Sequence, residues 1–363
     1  VGATTYEDYG LYTHIEQPNK QFLRSHLFDP NGYLYKVTFF EFDRYPEQIR
    51  SHTDENYDRK MFETILEIKG REEHDKLITM LNEVNDYSLP IEEVINRHFD
   101  EDNLLNWVAT NILMDNMDTD ANNFFIYSPL NNNKWLILPW DYDDGWDSGR
   151  SQDFIRPYQA GISTYWGNRL LNRYFRIQEN VDKLTAKLED LHEKYINEQT
   201  VTTQLDKYAS FVEQYVQKYP DNQYLPIIGI NYQSEIQSII STPIRALERY
   251  YEDLEKPKPF FQHNKAVLED GQHIFAWDVS FDLQGDDLYY NVTIARDLTM
   301  QQIIYQEADL RLNEVRVSQL EQGAYYMKVT VKDSNGNTQT SFDMFKDPDT
   351  GENYFGVIQV EVQ

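Results

Sequence analysis

The sequence contains no cysteine in 363 residues, which removes disulfides, thiolate zinc sites and cysteine nucleophiles together. Any metal must therefore be held by oxygen or nitrogen. Basic residues are scarce, with 33 Lys and Arg against 61 Asp and Glu and a formal charge of −28. DNA and RNA are held mainly by Lys and Arg that displace condensed counterions, so no nucleic-acid partner is expected. The same negative field suits divalent cations or a basic protein substrate, and it equally suits a merely well-solvated surface. Long apolar runs are missing as well. Stretches such as Trp135–Leu138 and Ile227–Ile230 fall far short of the ~20 residues needed to cross a bilayer, so no membrane span is expected. With Val1 first and no signal-like segment, the sequence reads as a processed or trimmed product. No internal repeat or low-complexity tract interrupts it.

The chain is long enough for more than one hydrophobic core. Gly10 to Ile15 reads as a strand, and Asp29-Pro-Asn-Gly32 is a turn before Tyr33-Leu-Tyr. From Tyr57 the pattern turns helical, with Met61/Ile65 and Phe62/Leu66 at i,i+4, then Leu77, Met80, Leu81 and Val84. Pro90 fits the first position of a short helix, and Asp100 or Asp102 the cap of the next, whose inward face carries Leu104, Leu105, Val108, Ile112 and Leu113. Phe124–Tyr127 and Trp135–Leu138 form a hairpin about an Asn131-Asn-Asn133 turn. Three more helical patterns come after it, and in the last Thr242-Pro243 fits either a kink or a cap.

Glu255-Lys-Pro-Lys-Pro259 is a proline-punctuated linker, beyond which the apolar period switches from about 3.6 to 2. Leu288, Tyr290, Val292 and Ile294 alternate with polar neighbours, as do Tyr325, Met327, Val329 and Val331. Trp277 in the preceding strand, an Asn335-Gly336 turn and a closing strand near Val357–Val362 make the segment resemble a fibronectin-III sandwich. The expected division is residues 1–254, a linker at 255–260, and an all-β sandwich at 261–363.

Chemistry concentrates in Asp115-Asn-Met-Asp118-Thr-Asp-Ala-Asn-Asn123 and, past the hairpin, Pro139-Trp-Asp141-Tyr-Asp143. Metal-assisted phosphoryl transfer needs an acid near the attacking hydroxyl, an Asn ligand five residues on, and a second Asp bridging metal and phosphates. Asp118 and Asn123 have that D-x-x-x-x-N spacing, and the hairpin can return Asp141 to face Asn123. By itself the spacing is weak, because Asp/Asn-rich loops contain it as turn formers. The order of helix, loop, hairpin and second acidic cluster makes it specific.

At these residues the chain resembles the CotH (spore-coat protein H) kinase-like family, and Tyr9-Gly-Leu-Tyr-Thr-His-Ile-Glu16 is similar to that family's Gly-x-Tyr strand. The resemblance implies an α+β architecture: an atypical protein-kinase-like domain, mostly its helical lobe with the N-terminal sheet truncated, followed by the sandwich. It implies transfer of the ATP γ-phosphate to Ser or Thr of a protein substrate, with Mg²⁺ or Mn²⁺, by a bacterial protein that is extracellular, at the cell surface or in a spore coat. On that mapping Asp118 is the catalytic acid/base, Asn123 and Asp141 hold the metal with Asp143 in support, and Glu16 and Gln17 line the adenine pocket. The family's phosphate-contacting lysine has no counterpart in view, and Lys20 and Lys36 read as solvated.

Two rivals stay open beside a catalytically inactive kinase-like module. Asp118-Thr-Asp120-Ala-Asn122 opens like an EF-hand loop, but position six is Asn123 rather than Gly and position twelve is Pro129 rather than Glu. A calcium contact at Asp347-Pro-Asp349-Thr-Gly351-Glu352 competes with a plain hairpin turn there. A carbohydrate-binding surface protein would use Trp140, Trp146 and Trp166 as stacking platforms, against the alternative that they pack the core. His14, His26, His52 and His98 show no ligand spacing.

Overall fold

Caps and turns written into the sequence start most elements of the first half. In the computed structural model, which describes residues 8–146, 155–225 and 231–362, the chain divides into two compact units, Val1–Gly149 with Asp182–Leu247 and Arg150–Val181 with Glu248–Gln363. The apolar run Ile227–Ile230 lies outside the described residues. No helix among those described is long and apolar enough to cross a membrane.

In the first unit Asn19 caps α1 (Lys20–Ser25), its side-chain oxygen accepting the amides of Gln21 and Phe22. The Asp29–Gly32 turn delivers β1 (Tyr33–Val37), and a Cβ on Gly32 would lie 2.6 Å from the Ser128 carbonyl oxygen. The helical reading from Tyr57 is corrected at its end. α2 (Arg59–Phe62) stops after one turn, and β2 (Leu66–Ile68) pairs antiparallel with β1. Leu66 and Ile68 bury alternately from that edge, so sheet pairing outweighs the i,i+4 pattern.

α3 (Asp75–Val84) buries the four apolar residues expected of it. Pro90 is the cap of α4 (Ile91–His98) rather than its first residue, and Asp100 caps α5 (Glu101–Leu113) by accepting the Asn103 amide at 3.0 Å. The hairpin of β3 (Phe124–Ser128) and β4 (Leu136–Pro139) completes an antiparallel sheet in the order β2-β1-β3-β4. Leu23 of α1 packs with Leu34, Phe125, Tyr127 and Leu138 on one face of that sheet. The segment Gly10–Ile15 forms no strand; the Leu11 amide bonds instead to the Asp221 carboxylate at 3.0 Å, and Tyr9, Tyr12 and Ile15 stay exposed.

The remaining helices are α6 (Arg169–Phe175), α7 (Gln178–Lys194), α8 (Glu198–Val216) and α9 (Tyr232–Leu254). Pro243 lies inside α9, so of the two alternatives for Thr242-Pro243 the mid-helix position holds. The stripe of α7 is buried at Val181, Leu184 and Leu188, whereas that of α8 is buried only at Val201.

His74, before α3, is fully buried in the first unit. Its Nδ1 meets the Tyr35 hydroxyl at 2.9 Å, its Nε2 the Tyr57 hydroxyl at 3.2 Å, and its ring stacks on Phe62. Burial, helped by the positive fields of His52 and Arg59, pulls its pKa from 6.5 down to about 4. Between those values the unfolded chain binds the extra proton and the folded chain does not, so stability falls as the pH is lowered through that window. The full loss is about 3 kcal/mol. Urea midpoints measured from pH 7 to 4.5 should fall less steeply in His74→Phe than in the parent; equal slopes would remove His74 from the acid response.

In the second unit the chain runs through β5 (Val267–Glu269), β6 (Gln272–Ala276), β7 (Tyr289–Ala295), β8 (Ile303–Leu310), β9 (Glu314–Ser318), β10 (Gly323–Lys332), β11 (Thr338–Thr340), β12 (Met344–Lys346), β13 (Asn353–Phe355) and β14 (Val357–Val362). One sheet has the order β11-β10-β7-β8, with β14 also paired to β10, and another the order β5-β6-β9. Of the alternating sets read from sequence, Tyr290, Val292, Ile294, Tyr325, Met327, Val329 and Val331 are buried with Phe275, Trp277, Val315 and Val317 in one core between these sheets, and Leu288 packs against it only partly buried. Trp277 stands just past β6. Asn335-Gly336 turns β10 into β11, and Asp347–Glu352 is a plain hairpin turn between β12 and β13. Within the proline-punctuated segment Lys258 and Phe260 are buried, and the Lys258 amide bonds to the Phe281 carbonyl at 2.7 Å.

Candidate active site

α5 fixes the first acidic loop. Leu104, Leu105, Trp107, Val108, Ala109, Asn111, Ile112 and Leu113 are all buried, so the helix is gripped around most of its circumference and its C-terminal end is immobilised. Asn111 then ties the helix end to both acidic loops. Its amide donates to the Trp107 carbonyl at 2.9 Å, its side-chain oxygen accepts from Asn116 at 3.2 Å, and it hydrogen-bonds the Tyr142 phenol of the second acidic loop. Burial pushes that phenol up to about 12, which keeps it neutral and hydrogen-bonding at any physiological pH. The Trp146 amide closes the same junction on the Met114 carbonyl at 2.6 Å. Gly145 permits the approach: a Cβ there would come within 3.3 Å of the Met114 and Tyr142 carbonyl oxygens.

The hairpin supplies the other constraint. Phe124 stands opposite Pro139 in the β3–β4 register, so Asn123, just before β3, and Trp140-Asp141, just after β4, emerge at one end. Both Asn123 and Asp141 sit in the left-handed region, with φ of 58° and 57°, where Asn and Asp are the best tolerated side chains after glycine. Asp118 is clamped by two amides, Asn123 Nδ2 donating to Oδ2 at 2.7 Å and Asn122 Nδ2 to Oδ1 at 3.1 Å. Partial burial, together with the charge of Asp143 and a hydrogen bond to it and the charge of Asp118, raises the pKa of the Asp141 carboxyl; Lys36 opposes this.

The expected residues Asp118, Asn123, Asp141 and Asp143 are thus brought together. Glu16 lies elsewhere in its contacts: its carboxylate accepts from Ser25 Oγ at 3.2 Å and faces His26 at 3.9 Å, partners on and just after α1. Lys36 is the residue that sequence alone undervalues. It lies in β1 opposite Phe125, half-buried, with its ammonium 5.9 Å from the Trp140 ring and 3.9 Å from Glu67. The signal available was its place in the Tyr33–Val37 strand, but only the β1–β3 pairing reveals that this strand borders the Asp141 loop. Lys20 instead lines a separate pocket with Asn31, His52 and Arg71.

The donor set fits a hard divalent cation. Asn123 Nδ2 is committed to Asp118, which leaves Asn123 Oδ1 as the atom able to ligate, and the Asp141 carboxylate carries the charges of Asp143 and Asp118 beside it, opposed by Lys36. The stacking alternative loses one platform: Trp166 is buried, with its ring stacked 5.5 Å from Phe281 and Arg176 over it. Trp140 packs edge-on against Phe125 at 5.5 Å, beside the sheet core.

A family model described as CotH kinase protein matches residues 3–243. No curated protein matches the sequence.

Proposed function

Because the chain belongs to the CotH kinase protein family, we propose that it transfers the γ-phosphate of ATP to a serine or threonine of a protein substrate, using Asp118 as the catalytic acid/base. The observation that carries this reading is the convergence of Asp118, Asn123 and Asp141 at one end of the β3–β4 hairpin. In the reaction the acceptor hydroxyl oxygen bonds to the γ-phosphorus and the bond from phosphorus to the bridging oxygen breaks. ADP leaves with that electron pair, and the hydroxyl proton passes to Asp118. Each Asp118 oxygen accepts one amide hydrogen, so the carboxylate is oriented while lone pairs remain for the proton.

Asn123 Oδ1 and Asp141, supported by Asp143, would hold Mg²⁺ or Mn²⁺, which when bound neutralises charge on the phosphates. Lys36, on the Asp141 side, takes the role of the phosphate-contacting cation. Glu16 and Gln17 are assigned to the adenine pocket from the family's element order. The proposed kinase-like domain is 1–254, joined through 255–260 to a fibronectin-III-like sandwich at 261–363 that serves as spacer or docking module. The proposed setting is extracellular, at a cell surface or in a spore coat.

Thermal shift with ATP tests the site directly. Saturation at about 100 times Kd stabilises the bound fold by about 2.7 kcal/mol, and the shift should require Mg²⁺ or Mn²⁺. It should vanish in Asp141→Asn, which keeps the left-handed backbone, and shrink in Lys36→Met. No ATP-dependent shift under any metal condition would sink the nucleotide site.

A further inference from the structure

A second cluster of acids lies in the β-rich unit, distinct from the acidic loops that flank the β3–β4 hairpin. Asp282 and Asp286 belong to the loop between β6 and β7, and Asp333 opens the turn from β10 to β11. One carboxylate oxygen from each lies within 4.8 Å of the others. Asp282 and Asp333 are buried, at 7% and 3% exposure.

The hydrogen bonds that fix each carboxylate come from neutral groups. Asp282 Oδ1 accepts the amides of Gln284 at 2.9 Å and Asp286 at 3.0 Å. Asp333 Oδ1 accepts those of Asn335 at 2.9 Å and Asn337 at 2.8 Å, while its Oδ2 accepts the Asn337 side-chain amide at 2.8 Å. Asp286 accepts from Ser334 Oγ at 3.1 Å and Asn335 Nδ2 at 2.6 Å. Every one of these partners is a neutral donor. The second Asp282 oxygen, Oδ2, is buried and has no hydrogen-bond partner among the described residues. The Lys258 ammonium feels the Asp282 charge, but it donates its hydrogen bond to the Asp253 carbonyl. A buried carboxylate oxygen with no donor, beside two further carboxylates, is costly unless a cation joins it.

We propose that Asp282, Asp286 and Asp333 form a Ca²⁺ site that ties the β6–β7 loop to the β10–β11 turn. Hard oxygen donors exclude soft metals. Ca²⁺ accepts several carboxylates at about 2.4 Å in irregular geometry, and oxygens across such an ion stand about 4.8 Å apart. Mg²⁺ demands an octahedron at about 2.1 Å, keeps several waters and uses one or two carboxylates. Three carboxylates held by two loops match the first description. The site is independent of the phosphoryl-transfer reading.

The test is calorimetric titration of the full chain, stripped with EDTA and then dialysed, with CaCl₂ and separately with MgCl₂, in the absence of nucleotide. Ca²⁺ should bind at one site at least tenfold more tightly than Mg²⁺, and Asp286→Asn, a half-buried position, should weaken it at least tenfold. Asp282→Asn should do the same, and circular dichroism reports whether that buried substitution folds. Asp141→Asn should leave the Ca²⁺ isotherm unchanged. No Ca²⁺ binding up to millimolar concentration, or binding that survives Asp286→Asn and disappears in Asp141→Asn, overturns the proposal.

Discussion

Asp118→Ala is expected to lower the rate of γ-phosphate transfer by about 10²–10⁴-fold, the usual worth of a positioned acid/base, while metal-dependent ATP binding persists. On the proposed assignment the carboxylate meets the acceptor hydroxyl rather than the nucleotide, so its removal should appear in turnover and not in ATP affinity. Asp118→Asn refines the result. Its carbonyl can still accept one of the Asn122 and Asn123 amides that now clamp Asp118, so the loop is better preserved, yet it cannot take the proton. The two variants should therefore be about equally slow. Initial rates with labelled ATP and a basic, serine-rich protein acceptor provide the measurement. Transfer retained in Asp118→Ala and also in Asp141→Asn would end the site assignment.

The largest effect on stability should come from Asp253→Ala. Lys258 is fully buried, and its ammonium donates to the Asp253 carbonyl and faces the Asp253 carboxylate at 3.5 Å. That carboxylate also accepts the Ser163 amide at 3.0 Å and packs against Gly161, where a Cβ would approach it to 2.9 Å. Burial pulls the Lys258 pKa down, and the Asp253 charge is the main influence holding it up. Replacing Asp253 leaves the backbone carbonyl but takes away the counter-charge of the buried ammonium and the acceptor of the Ser163 amide, which costs about 3–5 kcal/mol. Adding Lys258→Met to Asp253→Ala should recover much of the loss, since the buried ammonium is then gone together with its counter-charge. Urea unfolding of the single and double variants decides it; a double variant no more stable than Asp253→Ala would show that the cost lies outside the ion pair.

Much of the fold was legible in the sequence where local rules act alone. The Asp100 cap, the α5 stripe, the β3–β4 hairpin and the alternation in β7 and β10 each arise from neighbours within a few residues, and the candidate acids stand out by their place around that hairpin. Features that failed to show needed distant partners. The helical spacing of Met61/Ile65 and Phe62/Leu66 is overridden by pairing with β1, and Gly10–Ile15 has strand-like residues but no ladder to join. Lys36 looks like any surface lysine until the strand pairing sets it beside Trp140. Asp282 and Asp333 stand far apart in the chain, and only the folded sheets bring their loops together. Tyr142 and Asn111 are likewise invisible as a pair without the fold.

The left-handed backbone at Asn123 and Asp141 bears on how such a protein would age. A β-carbon in that conformation costs about 1–2 kcal/mol unless the residue is Asn, Asp or Gly, so a lineage released from selection for chemistry would still be held to those three at both positions. Drift would then run toward glycine, which relaxes the turn while deleting the oxygen donor. If the proposed transfer is the chain's activity, its loss in descendants would be written as paired glycines flanking an intact hairpin, and the fold itself would carry the record.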